Sequence, residues 1–172
     1  MPVIILNGGS CSGKSTIAKE ICRQSGDGFV RLQVDEVKRY LFTILDKKST
    51  PREIGRPICD EILLQTAKIF LKNGKNIVID TSFDGDDAVE IAKKHINFFN
   101  SERVVFVGVD CQLEEKLRRF RDHNNNQVRS EAVIIAQDNV FELCGEMYDC
   151  SFDTGEQAAA DIASEILTNY VL

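Results

Sequence analysis

The most constraining feature of this 172-residue sequence is the segment Gly8-Gly9-Ser10-Cys11-Ser12-Gly13-Lys14-Ser15. It has the form GxxxxGK[ST], follows the apolar residues 3–6 and precedes a helical pattern. Glycines allow the N–H groups of such a loop to turn inward around an anion, and the helix adds its positive N-terminal partial charge. The segment therefore predicts a phosphate-binding loop between a buried strand and a helix.

Apolar segments rich in β-branched residues alternate along the chain with longer segments of helical periodicity. This pattern predicts an α/β fold, with a parallel sheet buried on both faces by helices. No repeat or linker divides the chain, so we expect one domain over residues 1–172. The predicted strands are 3–6, 29–34, 77–79, 103–109 and 148–152. Predicted helices begin near Lys14 and at Pro51, and the second of these is expected to be broken around Gly55 and Pro57. The other predicted helices cover 36–45, 86–95, 112–121, 129–143 and 156–167.

The composition narrows the classes of partner. A net charge of −6 argues against a broad nucleic-acid surface, which would need clustered Lys and Arg. No apolar run approaches the roughly 20 residues of a membrane span, and residues 1–6 contain no basic leader. Six cysteines are scattered without a CxxC pair, which indicates reduced thiols. We therefore expect a cytoplasmic protein without a broad nucleic-acid surface.

The loop residues predict how a nucleotide polyphosphate would be held. Lys14 can reach the β- and γ-phosphates of ATP, and the Ser15 hydroxyl is a suitable ligand for Mg²⁺. Asp80 follows the apolar residues 77–79 and has the position of a Walker B acid that supports the metal; alternatively, the residues after it only build a turn. The predicted phosphate-binding residues are Gly8, Gly9, Ser10, Cys11, Ser12, Gly13, Lys14, Ser15 and Thr16.

A second acid, Asp35, follows the predicted strand 29–34. Ligands of open α/β sheets bind outside the carboxyl ends of the strands, so Asp35 is placed to accept a proton from a substrate hydroxyl. Asp is also a favoured N-cap residue, and the same side chain could cap the helix that begins at Glu36. The two roles are compatible, and we assign Asp35 as the candidate catalytic base.

A cluster of basic residues stands out in the otherwise acidic chain. It flanks a polar turn around Asn124 and predicts a small helical lid over about residues 118–130. Cations on a lid neutralise charge on the transferred phosphoryl group, a role that we assign to Arg121 and Arg129. The alternative is that the basic residues form ion pairs within the helix with Glu114 and Glu115. We favour this alternative for Arg119. The cluster is Lys116, Arg118, Arg119, Arg121 and Arg129.

Several short motifs resemble the chloramphenicol phosphotransferase-like family of P-loop kinases. They are Ile4-Ile5-Leu6-Asn7-Gly8-Gly9-Ser10 with Ser12-Gly13-Lys14-Ser15, the pair Val34-Asp35, Arg121 and Arg129 in the lid, and the closing Tyr148-Asp149 with Phe152-Asp153-Thr154. The resemblance implies a three-layer P-loop NTPase fold whose five parallel strands have the order 2-3-1-4-5. It also implies that Asp35 is the base and that the acceptor is a hydroxyl of a small organic molecule.

The leading hypothesis is an ATP-dependent phosphotransferase that moves the γ-phosphate to a small-molecule hydroxyl. A nucleoside, nucleotide or shikimate-like kinase is an alternative within enzymes, and a non-catalytic nucleotide-binding regulator is an alternative outside them. A GTP-dependent switch would need an Asn/Thr-Lys-x-Asp motif, which the sequence lacks. Four aromatic residues could line the acceptor side or, as aromatics more often do, belong to the core: Phe29, Tyr40, Phe42 and Phe83.

Overall fold

The computed structural model describes residues 1–44, 52–123 and 130–171. Its strands form one five-stranded parallel sheet in the order β2-β3-β1-β4-β5. This confirms the predicted strand order. The strands are β1 (Pro2–Asn7), β2 (Phe29–Gln33), β3 (Asn76–Asp80), β4 (Arg103–Asp110) and β5 (Cys150–Asp153).

Helices cover both faces of the sheet. Successive side chains of a strand point to opposite faces, and the buried residues of β1 divide accordingly. Val3 and Ile5 belong to one core cluster, whereas Ile4 and Leu6 belong to the other. The helices are α1 (Lys14–Gln24), α2 (Val34–Ile44), α3 (Arg52–Lys72), α4 (Ala88–Phe98), α5 (Leu113–His123), α6 (Glu131–Ala136), α7 (Val140–Leu143) and α8 (Ala159–Ile166), followed by a π-helical turn at Leu167–Val171.

The first core cluster lies beneath α2, α3 and α4, and the second lies beneath α1 and α8. β1 is central because it pairs with β3 on one side and with β4 on the other. In this register, Leu6 is opposite Asp80 and Asn7 is opposite Gly108. The carboxyl ends of β1, β3 and β4 therefore meet at one edge of the sheet. No described helix has the length and apolar character that would let it cross a membrane.

Several predicted elements differ from the structure, and three of these differences bear on the site. Strand β2 ends at Gln33, one residue before the predicted strand end. Helix α2 begins at Val34, two residues before the predicted helix start at Glu36. Val34 and Leu41 are both buried against the same core cluster, and their spacing of seven residues suits a helix face. Asp35 therefore lies within the first turn of α2 rather than between a strand and a helix.

Helix α3 is continuous through Pro57, although the sequence predicted a break there. Proline has no N–H group and so removes one backbone hydrogen bond. Pro57 lies near the N-terminal end of α3, close to the first N–H groups of the helix, which have no partner within the helix in any case, so few bonds are affected. An ion pair of 2.9 Å between Arg56 Nε and Asp60 Oδ2 also spans this position.

The single helix predicted over 129–143 is instead two short helices, α6 and α7, separated by residues 137–139. Side chains at that break bond to other parts of the chain: Gln137 bonds to Ser10, and Asp138 bonds to Lys116. These tertiary contacts explain the interruption.

Candidate functional site

The phosphate loop joins β1 to α1 at the carboxyl edge of the sheet. Gly13 has a φ of 98°, in the left-handed region that favours glycine, and Cys11 adopts a φ of 63° there without being glycine. The Gly13 carbonyl accepts the N–H groups of Thr16 and Ile17, so the first turn of α1 begins at this glycine. The N-terminus of a helix presents N–H groups and a positive partial charge, so the start of α1 is suited to an anion.

Lys14 folds back over the loop. Its ammonium donates to the Gly9 carbonyl at 2.7 Å and to Ser12 Oγ at 3.4 Å, and its side chain is almost completely buried. The cation is therefore held over the concave side of the loop. The predicted phosphate-binding residues Gly8 to Thr16 are brought together as one structural unit.

Ser15 and Asp80, both predicted to support the metal, are in contact. Ser15 Oγ donates to Asp80 Oδ2 at 2.5 Å, and Gln33 Nε2 donates to Ser15 Oγ at 3.3 Å. A hydroxyl and a carboxylate are hard oxygen ligands of the kind that Mg²⁺ prefers, so this pair fits a magnesium site. Gln33 was missed by sequence reasoning; its only signal was its position at the last residue of β2, opposite Asp80 in the register.

Thr154, which follows β5, supports the phosphate loop through side-chain hydrogen bonds. Thr154 Oγ1 donates to the Ser12 carbonyl at 2.7 Å and accepts from Arg119 Nη1 at 2.8 Å. The same guanidinium nitrogen lies 3.3 Å from the Cys11 carbonyl. A Cβ on Gly13 would lie 3.0 Å from Thr154 Cγ2, so a larger residue at this position would press against the threonine side chain. Thr154 therefore connects β5 to the turn of the phosphate loop.

Asn7 performs a similar joining role at the end of β1. Its side chain is fully buried, donates through Nδ2 to the Tyr148 hydroxyl at 2.8 Å and accepts the Phe83 N–H at 2.8 Å. The Tyr148 hydroxyl in turn donates to the Phe141 carbonyl at 3.0 Å. Burial raises the pKa of the Tyr148 phenol far above its ordinary value, although the bond from Asn7 opposes that rise.

Asp35 lies at the same edge of the sheet, in the first turn of α2. Its side chain is about one-third exposed, and its Oδ1 lies 3.7 Å from Lys38 Nζ one turn along the helix. It is not the N-cap of a helix beginning at Glu36, because α2 already begins at Val34. Its assignment as the base stays a prediction.

A cluster of charged residues, for which we propose an acceptor-side role below, lies between α3, α4 and the residues that follow β3. Arg56 contacts both carboxylate oxygens of Asp60, the Ser82 carbonyl at 3.2 Å and, at 3.6 Å, Asp84 Oδ1. His95, fully buried, places Nε2 3.5 Å from Asp60 Oδ1. We call Arg56, Asp60, Asp84 and His95 the acceptor-side cluster.

The buried position of Asp60 would by itself raise the pKa of its carboxyl. His95 and Arg56 outweigh that effect and hold the pKa below its ordinary value. The carboxylate is therefore ionised and paired at neutral pH.

Residues 137 and 138, between α6 and α7, dock onto the centre of the site. Gln137 accepts from Ser10 Oγ at 2.5 Å and donates through Nε2 to Asp84 Oδ2 at 2.9 Å. Asp138 Oδ1 accepts from Lys116 Nζ at 2.7 Å. We call residues 137–138 the docking pair. Its role was missed by sequence reasoning, because neither residue belongs to a recognisable motif.

Two members of the predicted basic lid have other roles. Lys116 is fully buried and forms ion pairs with Asp110 at 2.6 Å and Asp138 at 2.7 Å, so it is a buried anchor rather than a lid cation. Burial would lower the pKa of Lys116, but these two carboxylates raise it above its ordinary value. Arg119 contacts the phosphate loop in addition to its predicted helix partner, Glu115, which lies at 2.7 Å.

The remaining lid residues lie farther out. Arg118 and Arg119 both bond to Glu115 and hold the pKa of its carboxyl down at about 2. Arg121 is exposed and pairs with Glu131 at 2.7 Å, which joins α5 to α6. Arg129, like the turn at 124–126, lies outside the described residues. The lid roles of Arg121 and Arg129 therefore stay predictions.

The aromatic residues considered for the acceptor side differ in their burial. Phe29 and Phe83 belong to the buried core, whereas Tyr40 is 64% exposed. The side chain of Phe42 lies outside the described part of the chain.

A family model described as chloramphenicol phosphotransferase-like protein matches residues 1–171. The chain belongs to this family. The motifs that carried the resemblance now have structural roles: Asn7, Tyr148 and Thr154 hold the phosphate loop in place. No curated protein sequence matches the chain.

Solved structures of several kinases and of a resistance protein share this fold. The tunicamycin resistance protein of Deinococcus radiodurans superimposes with a TM-score of 0.72 at 18% identity, covering 99% of this chain and 96% of its own. Shikimate kinase from Acinetobacter baumannii, solved with shikimate, has a TM-score of 0.64 at 24% identity, covering 97% and 91%.

The Mycobacterium tuberculosis APS kinase, solved with AMPPNP and APS, has a TM-score of 0.72 at 16% identity, with coverages of 96% and 95%. At these identities the likeness shows the fold alone. This chloramphenicol phosphotransferase-like protein therefore has the P-loop kinase fold, and its family is one of kinase-type phosphotransferases.

Proposed function

We infer that the protein transfers the γ-phosphoryl group of ATP to a hydroxyl of a small organic molecule. The observation that carries this proposal is the arrangement of Lys14, Ser15 and Asp80. The ammonium lies over the phosphate loop, and the Ser15 hydroxyl contacts the carboxylate of the neighbouring strand at 2.5 Å. This is the arrangement that a nucleotide polyphosphate and its metal require.

In the proposed reaction, inward-facing N–H groups of the loop bind the β- and γ-phosphates, and Lys14 neutralises their charge. Ser15 and Asp80 would hold Mg²⁺, which when bound supplies positive charge to the phosphate oxygens. Asp35 accepts the proton of the acceptor hydroxyl as its oxygen forms a bond to the γ-phosphorus. The bond between that phosphorus and the β–γ bridging oxygen breaks, and ADP leaves with the bridging oxygen.

The acceptor is proposed to enter beside α2 and α3, where Asp35 and the acceptor-side cluster line the same edge of the sheet as the phosphate loop. Arg121 and Arg129 are proposed to approach from the lid, where their charge would stabilise the transferring phosphoryl group. The family and the kinases of similar fold support a small-molecule acceptor. Among those kinases, one was solved with shikimate and another with AMPPNP and APS.

The proposal is tested by titrating the purified protein with ATP in the presence of Mg²⁺, followed by a metabolite-library screen for acceptor-dependent ADP release. We expect ATP binding in the wild type and, in Lys14→Ala, a loss of binding and of turnover on the order of 100-fold or more. Lys19→Ala, which changes an exposed lysine of the same helix, is the matched control and should behave as the wild type.

The outcomes separate the hypotheses. ADP release with one class of hydroxyl compound supports the kinase proposal and identifies the acceptor. Tight ATP binding with no transfer to any hydroxyl compound would instead favour a nucleotide-binding regulator. A wild type that fails to bind ATP would overturn both.

A further inference from the structure

Gln137 joins two parts of the site that sequence motifs do not connect. Through Oε1 it accepts from Ser10 Oγ of the phosphate loop at 2.5 Å, and through Nε2 it donates to Asp84 Oδ2 at 2.9 Å. An amide is suited to this because its two ends are a fixed acceptor and a fixed donor. One planar group therefore spans from the nucleotide side to the residues after β3.

The contact with the phosphate loop is close as well as polar. A Cβ placed on Gly9 would lie 2.7 Å from the Gln137 carbonyl oxygen, a distance that side chains do not reach. Gly9 therefore allows the backbone of residue 137 to rest directly on the loop. Ser10 and Gly9 together fix Gln137 by a side-chain bond and by packing.

On its other side Gln137 reaches a chain of charged groups. Asp84 Oδ1 lies 3.6 Å from Arg56 Nη1, and Arg56 in turn holds Asp60 at 2.9 Å and the Ser82 carbonyl at 3.2 Å. Arg56 and Asp60 are 10% and 5% exposed, so these contacts are little screened by solvent. The connection from Ser10 to α3 is thus continuous: Ser10, Gln137, Asp84 and Arg56.

Residue 137 is itself held by its neighbour. Asp138 pairs at 2.7 Å with Lys116, which is fully buried and also pairs with Asp110 at the end of β4. The docking pair is therefore anchored to the sheet. A change at the phosphate loop can reach Asp84 through Gln137 rather than being absorbed by movement of the backbone.

We propose that Gln137 is a positioning residue that couples the phosphate loop to the acceptor-side cluster, so that nucleotide binding orders Asp84, Arg56 and the residues after β3. The proposal rests on the function inferred above, because it needs a nucleotide at the loop. Gln137 acts through Ser10 and Asp84 and takes no part in the transfer itself. Coupling of this kind typically changes the affinity or order of a second site by about 5-fold to 150-fold.

The test uses the full chain, Mg²⁺ and AMPPNP as the nucleotide probe, with hydrogen exchange read in peptides that cover residues 55–63 and 80–87. In the wild type we expect the probe to slow exchange in both peptides by about 5-fold or more. In Gln137→Ala we expect less than about 2-fold slowing, while the Kd for the probe changes by less than about 5-fold because the loop ligands remain.

Three further variants keep the test decisive. Gln137→Glu keeps the acceptor for Ser10 but places a carboxylate against Asp84, so it should also lose the slowing in both peptides. Ser10→Ala removes the loop end of the same connection and should also lose the slowing in both peptides. It takes the place of Gln137→Ala in the test if that variant does not fold. Gln65→Ala, which removes an amide that bonds to Glu61 on the exposed face of α3, is the matched control and should keep the full slowing.

The results separate this inference from the proposed function. A wild type that does not bind the probe would overturn both. A wild type that binds it without slowing exchange at 55–63 and 80–87, or a Gln137→Glu variant that keeps the full slowing, would overturn the coupling and leave the proposed function intact.

Discussion

The nucleotide side and the proposed acceptor side of this site are built in different ways. On the nucleotide side, residues close together in sequence form the loop. Side chains from distant segments, neutral and charged, support it: Thr154 bonds to the Ser12 carbonyl, and Arg119 lies 3.3 Å from the Cys11 carbonyl. On the acceptor side, the contacts are between charged groups from separate elements, with Arg56 on α3 contacting Asp84 after β3. One half is a local motif with supports, and the other is a network of pairs.

This difference bears on how each half can vary. A loop whose ligands are backbone N–H groups depends mainly on glycine positions and on a few supporting side chains, so its binding chemistry is generic. A network of buried charges depends on each partner, because removing one leaves another unpaired in a poorly solvated place. The proposed acceptor side is therefore the half in which we expect single substitutions to disturb the structure most.

The largest expected effect comes from separating chemistry from nucleotide binding. In Asp35→Asn, the amide cannot accept the acceptor proton, so we expect turnover to fall by on the order of 100-fold or more. ATP affinity should stay within about 2-fold, because Asp35 is not part of the loop. Steady-state kinetics with the acceptor found by the screen, together with ATP titration, measure both quantities.

Glu36→Gln is the neighbouring control for that experiment. Glu36 is half exposed and pairs with Arg31, so its loss should leave turnover unchanged. Near-normal turnover in Asp35→Asn would remove this residue from the mechanism and with it the assignment of the acceptor side to α2.

A single substitution in the buried charged network should lower the free energy of unfolding more than one on the nucleotide side. Arg56→Met leaves Asp60 without its guanidinium partner in a site where the carboxylate is 5% exposed, and we expect unfolding to become easier by about 3 kcal/mol. The double variant with Asp60→Leu should recover most of that loss, because neither charge is then buried alone. Urea unfolding of the two variants and of the wild type provides the comparison.

Arg23→Met, which removes an exposed ion pair with Glu20, is the surface control and should unfold with the wild type. If Arg56→Met were as stable as this control, the acceptor-side cluster would not be the electrostatic network described above.

A support of the nucleotide side should show a smaller effect, on affinity. Thr154→Val keeps the shape but removes the hydroxyl that bonds to Ser12 and Arg119. We expect the Kd for ATP to rise by about 10-fold, equivalent to about 1.4 kcal/mol. The control is Thr66→Val, whose hydroxyl bonds to Ile62 within α3; equal affinities in the two variants would contradict a supporting role for Thr154.

The smallest expected effect is a pH dependence at alkaline pH. Burial raises the pKa of the Tyr148 phenol in the folded protein, so the folded state favours the protonated form. Its contribution to stability is complete below the unfolded pKa of about 10 and is lost as the pH rises above it. We expect the urea midpoint to fall less between pH 10 and 11 in Tyr148→Phe than in the wild type; identical slopes would contradict this.

The nucleotide side and the sheet were largely predictable from the sequence, because their signals are local. The loop motif, the apolar strand runs and Asp80 at the end of a strand each lie within a few residues. They singled out Ser15 and Asp80, whose side chains are in contact, and the family resemblance predicted the strand order correctly.

The acceptor side was not predictable because its partners come from distant segments. Gln137 and Ser10 are separated by 127 positions, and Arg56 and the Ser82 carbonyl by 26. Lys116 was misread for a related reason: its charge suggested an exposed lid, whereas Asp110 and Asp138 allow it to be buried. Periodicity likewise predicted one helix over 129–143, since it carries no information about the tertiary bonds of Gln137 and Asp138 that interrupt it.

The long separation of the loop from its supports has a consequence for biosynthesis. Thr154 is 142 positions from Ser12, and Tyr148 is 141 positions from Asn7. A ribosome therefore releases the phosphate-loop motif early and its supporting side chains late, and domains fold as units while they are being synthesised. A truncated product that stops before Tyr148 would contain the whole motif yet lack the residues that hold it in shape.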